Sequence, residues 1–298
     1  MKILLTGAKG QLGTALLSAL GDDHEVCAHS RADFDLLNAA ALARLLDTFR
    51  PELIVNAAAY TAVDAAQSNR ATAFSVNAEL PSALADWAAE RDAALIHYST
   101  EYVFDGQGDK PWSETDEPHP LNIYGESKLA GDHAILASGA AALILRTAWL
   151  YDATGRNFLT AILQQAENKE TLRVVDDQYG APTSTAVLAR TTVEIIRTLG
   201  GDVGAGLSEN GGLLNVTASG AVNRCEFAEA ICDKTRRFGH PLAVRRILPI
   251  PSADLPAAAP RPKNSRLSLD RLSKRFGIQA PHWRDALARE LERHFATT

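Results

Sequence analysis

The chain has 298 residues, 46% of them hydrophobic, and a formal net charge of −6. That is enough for one large domain or two modest ones with an ample core. A mildly acidic surface does not draw a polyanion, which excludes nucleic acid as the main partner, and no apolar run reaches the roughly 20 residues of a membrane helix.

The run Ile3-Leu4-Leu5 is too short for a secretory leader. Cys27, Cys225 and Cys232 cannot all pair and form no C-x-x-C. Cys225 and Cys232 share a helix face and read as buried thiols. The expectation is a soluble, cytoplasmic, globular protein with neither disulfides nor a zinc ribbon.

In chain order, short β-like runs alternate with helical patterns, the signature of a parallel sheet covered by helices. Lys2–Thr6 reads as a buried strand, followed by a helix carrying Leu12, Leu16, Leu17 and Leu20. Residues 25–28 form a second strand. Asp35 is the candidate cap of the next helix, which carries Leu42, Leu45, Leu46 and Phe49 and stops before Pro51. Strands follow at 53–55, 95–98 and 140–146, with a helix over 81–91. The strands end in small or polar residues: Gly7, Asn56-Ala57-Ala58-Ala59 and Ser99-Thr100. In an open α/β sheet the ligand crevice lies at such carboxyl ends. Beyond Trp149 the pattern loosens, with Gly and Pro punctuating 200–212 and 249–262, and 283–295 is helical again. The prediction is a Rossmann-like, doubly wound α/β domain over 1–150, to which some later segments return. A smaller α+β lobe over 151–298 closes on its crevice.

Gly7, Gly10 and Gly13 sit between the first strand and the first helix as G-x-x-G-x-x-G, one residue longer than the G-x-G-x-x-G dinucleotide fingerprint. Glycines allow the tight turn and bring backbone N–H groups close to a pyrophosphate at a helix N-terminus. No Lys-Ser or Lys-Thr follows Gly13, which disfavours an NTP-hydrolysing loop. After the second strand the chain reads Cys27-Ala28-His29-Ser30-Arg31, with no carboxylate until Asp33. Ser30 and Arg31 suit a 2′-phosphate and predict NADPH in preference to NADH; the competing reading of Arg31 is a solvated loop charge.

Tyr124 and Lys128 are four apart on a helix that Asn122 can cap, so they share a face. A phenol with pKa about 10 is a poor proton donor at neutral pH. An ammonium about 6 Å away, at an effective dielectric near 20, contributes roughly 3 kcal/mol and brings the phenol down by about two pH units. Tyr124 then suits donation to a carbonyl oxygen receiving hydride, and Thr100 can hydrogen-bond the same oxygen.

These features resemble the extended short-chain dehydrogenase/reductase family. Six further motifs resemble its branch that reduces dTDP-linked 4-keto-6-deoxy sugars: VNAAAYTAVD at 55–64, YSTEYVFDG at 98–106, PLNIYG at 120–125, RTAWLY at 146–151, DQYGAPT at 177–183 and RPKNSRL at 261–267. The resemblance implies reduction of the 4-keto group of dTDP-4-dehydro-β-L-rhamnose by hydride from NAD(P)H. Tyr124 is then the general acid, Lys128 lowers its pKa and holds the nicotinamide ribose, and Thr100 orients the sugar oxygen. Gly10, Gln11 and Leu12 face the pyrophosphate, with Asp35 and Leu36 near the adenine. Ala59, Tyr60, Thr61 and Tyr98 line the dinucleotide path, while Glu101 and Trp149 contact the sugar nucleotide. Many relatives are homodimers.

Two departures stand out. Glu101 replaces the usual Asp, and Ala15 replaces a glutamate that joins a magnesium-linked dimer contact in some relatives, so no metal is expected. Trp149 and Tyr151 serve equally as core, Arg261 and Arg266 either grip a pyrophosphate or form a basic surface loop, and His97 reads as a packed strand residue. The rival functions are a nucleotide-sugar epimerase or 4,6-dehydratase, and a non-catalytic dinucleotide-binding regulatory subunit.

Overall fold

Six parallel strands make the main sheet of the computed structural model, which describes residues 1–21, 23–30 and 35–296. The first five are β1 (Lys2–Thr6), β2 (Glu25–His29), β3 (Leu53–Asn56), β4 (Ala94–Thr100) and β5 (Ala141–Thr147). The spatial order is Gly212–Asn215, β5, β4, β3, β1, β2. After β2 the chain crosses back over β1 to lay down β3, and this reversal opens a crevice at the carboxyl ends of β1 and β3. Register brings Thr6 beside Asn56 and Asn56 beside His97, so the polar strand ends line up across the sheet.

The strands are apolar because helices cover both faces. Ile3, Leu5, Leu53 and Val55 pack with Leu12, Leu16 and Leu20 of α1 (Gln11–Leu20) and with Leu188 and Ile195 of the Thr185–Leu199 helix. Leu4, Ile54 and Leu95 point the other way, onto Leu42 and Leu46 of α2 (Ala39–Phe49) and onto Leu80 and Leu84. A third cluster, built on Trp283, Phe227, Tyr151 and Leu159, packs the later part of the chain against Val103 and Phe104 and holds both Cys225 and Cys232. Among the described residues no helix is long and apolar enough to cross a membrane.

Three local expectations change. Asn38, not Asp35, caps α2, its side chain accepting the Ala41 N–H at 3.0 Å. Asp35 instead accepts the Leu37 N–H at 3.0 Å within the preceding turn. The loosened stretch around 200–212 contains the Val203–Asn210 helix and opens the sixth strand. Gly204 and Gly206 dilute the helical pattern there, and a four-residue strand is too short to show a period. Finally, β4 runs on through Ser99 and Thr100, which places both hydroxyls inside the sheet edge.

The second lobe is fastened over the carboxyl edge from several points. Gln11 Nε2 donates to the Arg156 carbonyl at 3.2 Å, Asn122 Nδ2 to the Pro260 carbonyl at 2.8 Å, and Arg261 pairs with Asp64 at 2.6 Å.

Candidate active site

The glycine turn is built as the sequence requires. Gly7 is left-handed at φ 70°, and a Cβ on Gly13 would stand 2.1 Å from the Gly7 carbonyl oxygen, so only glycine lets α1 start this close to β1. Gly10 is the N-cap of α1, and no side chain caps it. The N–H groups of Gln11 and Leu12 therefore open the helix toward the crevice without a side-chain acceptor. The Leu12 side chain is core, leaving only its backbone to the site, and the Gln11 amide reaches into the second lobe. Ser30 is buried at the end of β2, while Arg31 lies outside the described residues. Asp35 is exposed, and Leu36 packs at the edge of the α2 cluster.

Along the next strand end, Ala59 and Tyr60 are half-buried and Thr61 is exposed. Asn77 fixes this segment, accepting the Tyr60 N–H at 2.8 Å and donating to the Tyr60 carbonyl at 3.0 Å and to Ser127 at 3.0 Å. It lies in the π-helical turn Ser75–Glu79, an irregularity of the kind that collects at functional sites. Nothing in its sequence surroundings pointed to it. Tyr98 departs from expectation: its ring is core and its hydroxyl bonds Thr192 at 2.9 Å, so its carbonyl is what it offers the site.

Asn122 caps the Ile123–Ala137 helix, accepting the Gly125 N–H at 2.9 Å. A Cβ on Gly125 would stand 2.2 Å from the Tyr102 carbonyl, and this close approach seats Tyr124 against the end of β4. The Tyr102 ring meets Tyr124 edge-on, centroids 5.4 Å apart. Thr100 Oγ1 donates to Glu101 Oε2 at 2.7 Å. The Thr100 hydroxyl lies close enough to Tyr124 to oppose the rise in the phenol's pKa. Half-buried Tyr124 and buried Thr100 and Glu101 are thereby gathered at the end of β4.

Electrostatics correct one sequence expectation. Burial, then the neighbouring Glu101 carboxylate, push the Tyr124 phenol above its ordinary value. The Lys128 amine bonds the Tyr98 carbonyl at 2.5 Å and His97 Nε2 at 3.0 Å. Burial pushes Glu101 up to about 7 against the opposing Thr100 hydrogen bond. For a raised carboxyl, the stability gained from the neutral form is present below the ordinary carboxylate range and is lost as pH rises through about 7. Glu101→Gln keeps an acceptor for Thr100 and removes that cost. We expect it to stabilise the protein by about 2–3 kcal/mol at pH 8, with the gain gone near pH 4. Urea unfolding at the two pH values checks this, and equal effects at both would refute it.

Trp149 is buried and backbone-strained, at φ 48°. The Arg224 guanidinium lies 3.5 Å from its ring centroid and 4.9 Å from that of Phe158. Burial pushes Arg224 down to about 10, while Tyr102 and Glu101 favour its charge. Sequence reasoning missed Arg224. The available signal was a cation in the first turn of a helix, opposing the helix dipole, inside the Asn223/Glu226 capping box. Arg261 makes a two-pronged pair with Asp64 at 2.6 and 2.7 Å, which pulls that carboxylate down to about 2. Arg266 Nε instead donates to Asn264 Oδ1 at 2.8 Å.

Comparison with known proteins agrees with this architecture. The RmlD substrate binding domain family matches residues 1–295. The chain is 42% identical over 289 residues to dTDP-4-dehydrorhamnose reductase of Burkholderia thailandensis, covering 96% of this chain and 97% of that one. It is 40% identical over 303 residues to the protein of the same name from Escherichia coli K12, covering 100% and 99%. A crystal structure of a dTDP-4-dehydrorhamnose reductase from Clostridium acetobutylicum matches with a TM-score of 0.90 at 33% identity, over 98% of this chain and 99% of that one. The enzyme from Bacillus anthracis, in complex with NADP, matches at 0.89 and 31% with the same coverage. With similarity sustained along essentially its whole length, the chain belongs to the dTDP-4-dehydrorhamnose reductase family of oxidoreductases.

Proposed function

We propose that the protein reduces the 4-keto group of dTDP-4-dehydro-β-L-rhamnose to dTDP-L-rhamnose with NADPH, and that Tyr124 is the general acid. The observation that carries this reading is the gathering of Tyr124, Thr100 and Glu101 at the end of β4, with Thr100 bonded to Glu101 at 2.7 Å and Lys128 one helical turn along from Tyr124.

The cradle suits a dinucleotide, since α1 begins without a side-chain cap and its first N–H groups are available to a pyrophosphate. When bound, NADPH supplies the hydride. Tyr124 hands its phenolic proton to the oxygen at sugar C4 as negative charge develops there. Thr100 hydrogen-bonds the same sugar oxygen once its hydroxyl hydrogen turns from Glu101. Lys128 swings to the nicotinamide ribose and steadies the phenolate left on Tyr124. Glu101 and Trp149 contact the sugar, with Arg224 bracing the indole. The preference for NADPH rests on Ser30 and the lack of a carboxylate at the described end of β2, and the Bacillus anthracis relative is in complex with NADP.

Tyr102 argues against the dehydratase reading. Those enzymes carry a second acid directly after the first, and here an aromatic ring packs edge-on against Tyr124 instead. The intact Thr100, Tyr124 and Lys128 set likewise disfavours a regulatory subunit that only binds dinucleotide. Incubating the protein with NADPH and the thymidine-linked keto sugar should give stoichiometric loss of NADPH absorbance, more slowly with NADH. Turnover without net NADPH consumption would favour the epimerase or dehydratase. A uridine-linked analogue shows how far the thymine methyl contributes, about 1 kcal/mol in a pocket.

A further inference from the structure

The buried polar chain behind Lys128 has a donor and acceptor order that can be worked out atom by atom. Asn56 is fully buried, and its Oδ1 accepts the Thr6 hydroxyl at 2.6 Å and the Ala58 N–H at 3.2 Å. The backbone N–H can only donate, so the amide orientation is fixed and Nδ2 faces His97 Nδ1 at 3.0 Å. Nδ1 must therefore present its lone pair, and the neutral ring carries its hydrogen on Nε2. That nitrogen stands 3.0 Å from Lys128 Nζ. An ammonium has three hydrogens and no lone pair, so it would set hydrogen against hydrogen here. A neutral amine accepts the Nε2 hydrogen and still donates to the Tyr98 carbonyl at 2.5 Å.

We infer that His97 is a positioning residue that holds Lys128 as a neutral amine while the dinucleotide site is empty, so that Lys128 takes up a proton as that site fills. The inference rests on the reading of Lys128 as the group that turns to the nicotinamide ribose. Leaving His97 frees Lys128 from the opposing N–H, and the ammonium then forms beside Tyr124, where its charge is wanted. The proton comes from solvent, and no bond between heavy atoms changes.

The other groups facing Lys128 are accounted for. Asp132, one turn along the same helix, favours the ammonium, but it is paired with Arg146 of β5 at 3.2 Å. Tyr124 lies one turn back, and Tyr98 contributes its carbonyl from β4. Burial pushes Lys128 down to about 8, within reach of working pH. It also depresses His97, which closes the alternative of a doubly protonated ring.

Two measurements test the inference without relying on turnover. The first is nitrogen NMR of the histidine-labelled, dinucleotide-free protein at about pH 8.5. It should show His97 Nδ1 as a pyridine-type nitrogen and Nε2 as the pyrrole type; a protonated Nδ1 overturns the inference. The second is calorimetric titration with NADPH at about pH 8.5, in buffers of differing ionisation enthalpy, which should report uptake of about one proton. In His97→Gln the side-chain oxygen can accept from an ammonium, so uptake should fall to less than half that of the native protein while NADPH still binds. Equal uptake in both proteins overturns the inference. The reductase reading stands or falls separately, on NADPH oxidation by the keto sugar.

Discussion

Tyr124→Phe should lower reduction of the keto sugar by about 10²-fold or more while NADPH affinity stays within about twofold. The change removes one oxygen and leaves the ring in place against Tyr102. Thr100 still donates to Glu101, so the pocket around the missing hydroxyl keeps its shape. Burial and Glu101 both favour the protonated phenol in the dinucleotide-free protein, which is the state a proton donor needs at the outset. In the proposed reaction its proton is given up as negative charge grows on the sugar oxygen. Steady-state rates with NADPH, set beside binding measured by fluorescence, check the prediction. Unchanged turnover would remove Tyr124 from the mechanism.

Arg146→Met should destabilise the fold by about 3–5 kcal/mol, the largest stability effect expected of any single change near the site. Arg146 and Asp132 are 1% and 0% exposed, and both Nε and Nη2 of the arginine reach Oδ2 at 3.2 Å. Removing the cation strands a carboxylate in the interior, where burial already raises its pKa. The arginine also lies over the Phe104 ring at 5.3 Å, so methionine, which keeps the length of the side chain, isolates the charge from the packing. Arg146→Met combined with Asp132→Leu should recover most of the loss, because two apolar groups replace a pair that was costly to desolvate. Urea unfolding of the three variants decides it. A double variant no better than the single one would mean that the pair contributes through shape alone.

The first half of the molecule was legible because its chemistry repeats at the period of its structure. Ile3 to Leu5 and Leu53 to Val55 are unbroken apolar runs that only a sheet covered on both faces can use. The glycine turn and the Tyr124/Lys128 spacing are local, so they survive reading in one dimension. What could not be read is what depends on distant partners. Asn77 acts through Tyr60 and Ser127, 17 and 50 residues away. Arg224 meets Trp149 only after the second lobe folds back. His97 reads in the sequence as a packed strand residue, and it is fully buried, but the contacts that give it chemical meaning come from β3 and from the Ile123–Ala137 helix. Asp35 failed as a cap because Asn38, three residues later, competes for the same helix start with better placement.

The Gly212–Asn215 strand closes the sheet beside β5, more than sixty residues after β5 leaves it. During synthesis the outer rim of β5, with Leu143 and Leu145 wholly apolar, is therefore bare until the ribosome has delivered Asn215. A shortened form ending near residue 150 would keep that rim uncovered for its lifetime. Such a fragment should be sticky rather than functional, and the first half of the chain is not a portable module.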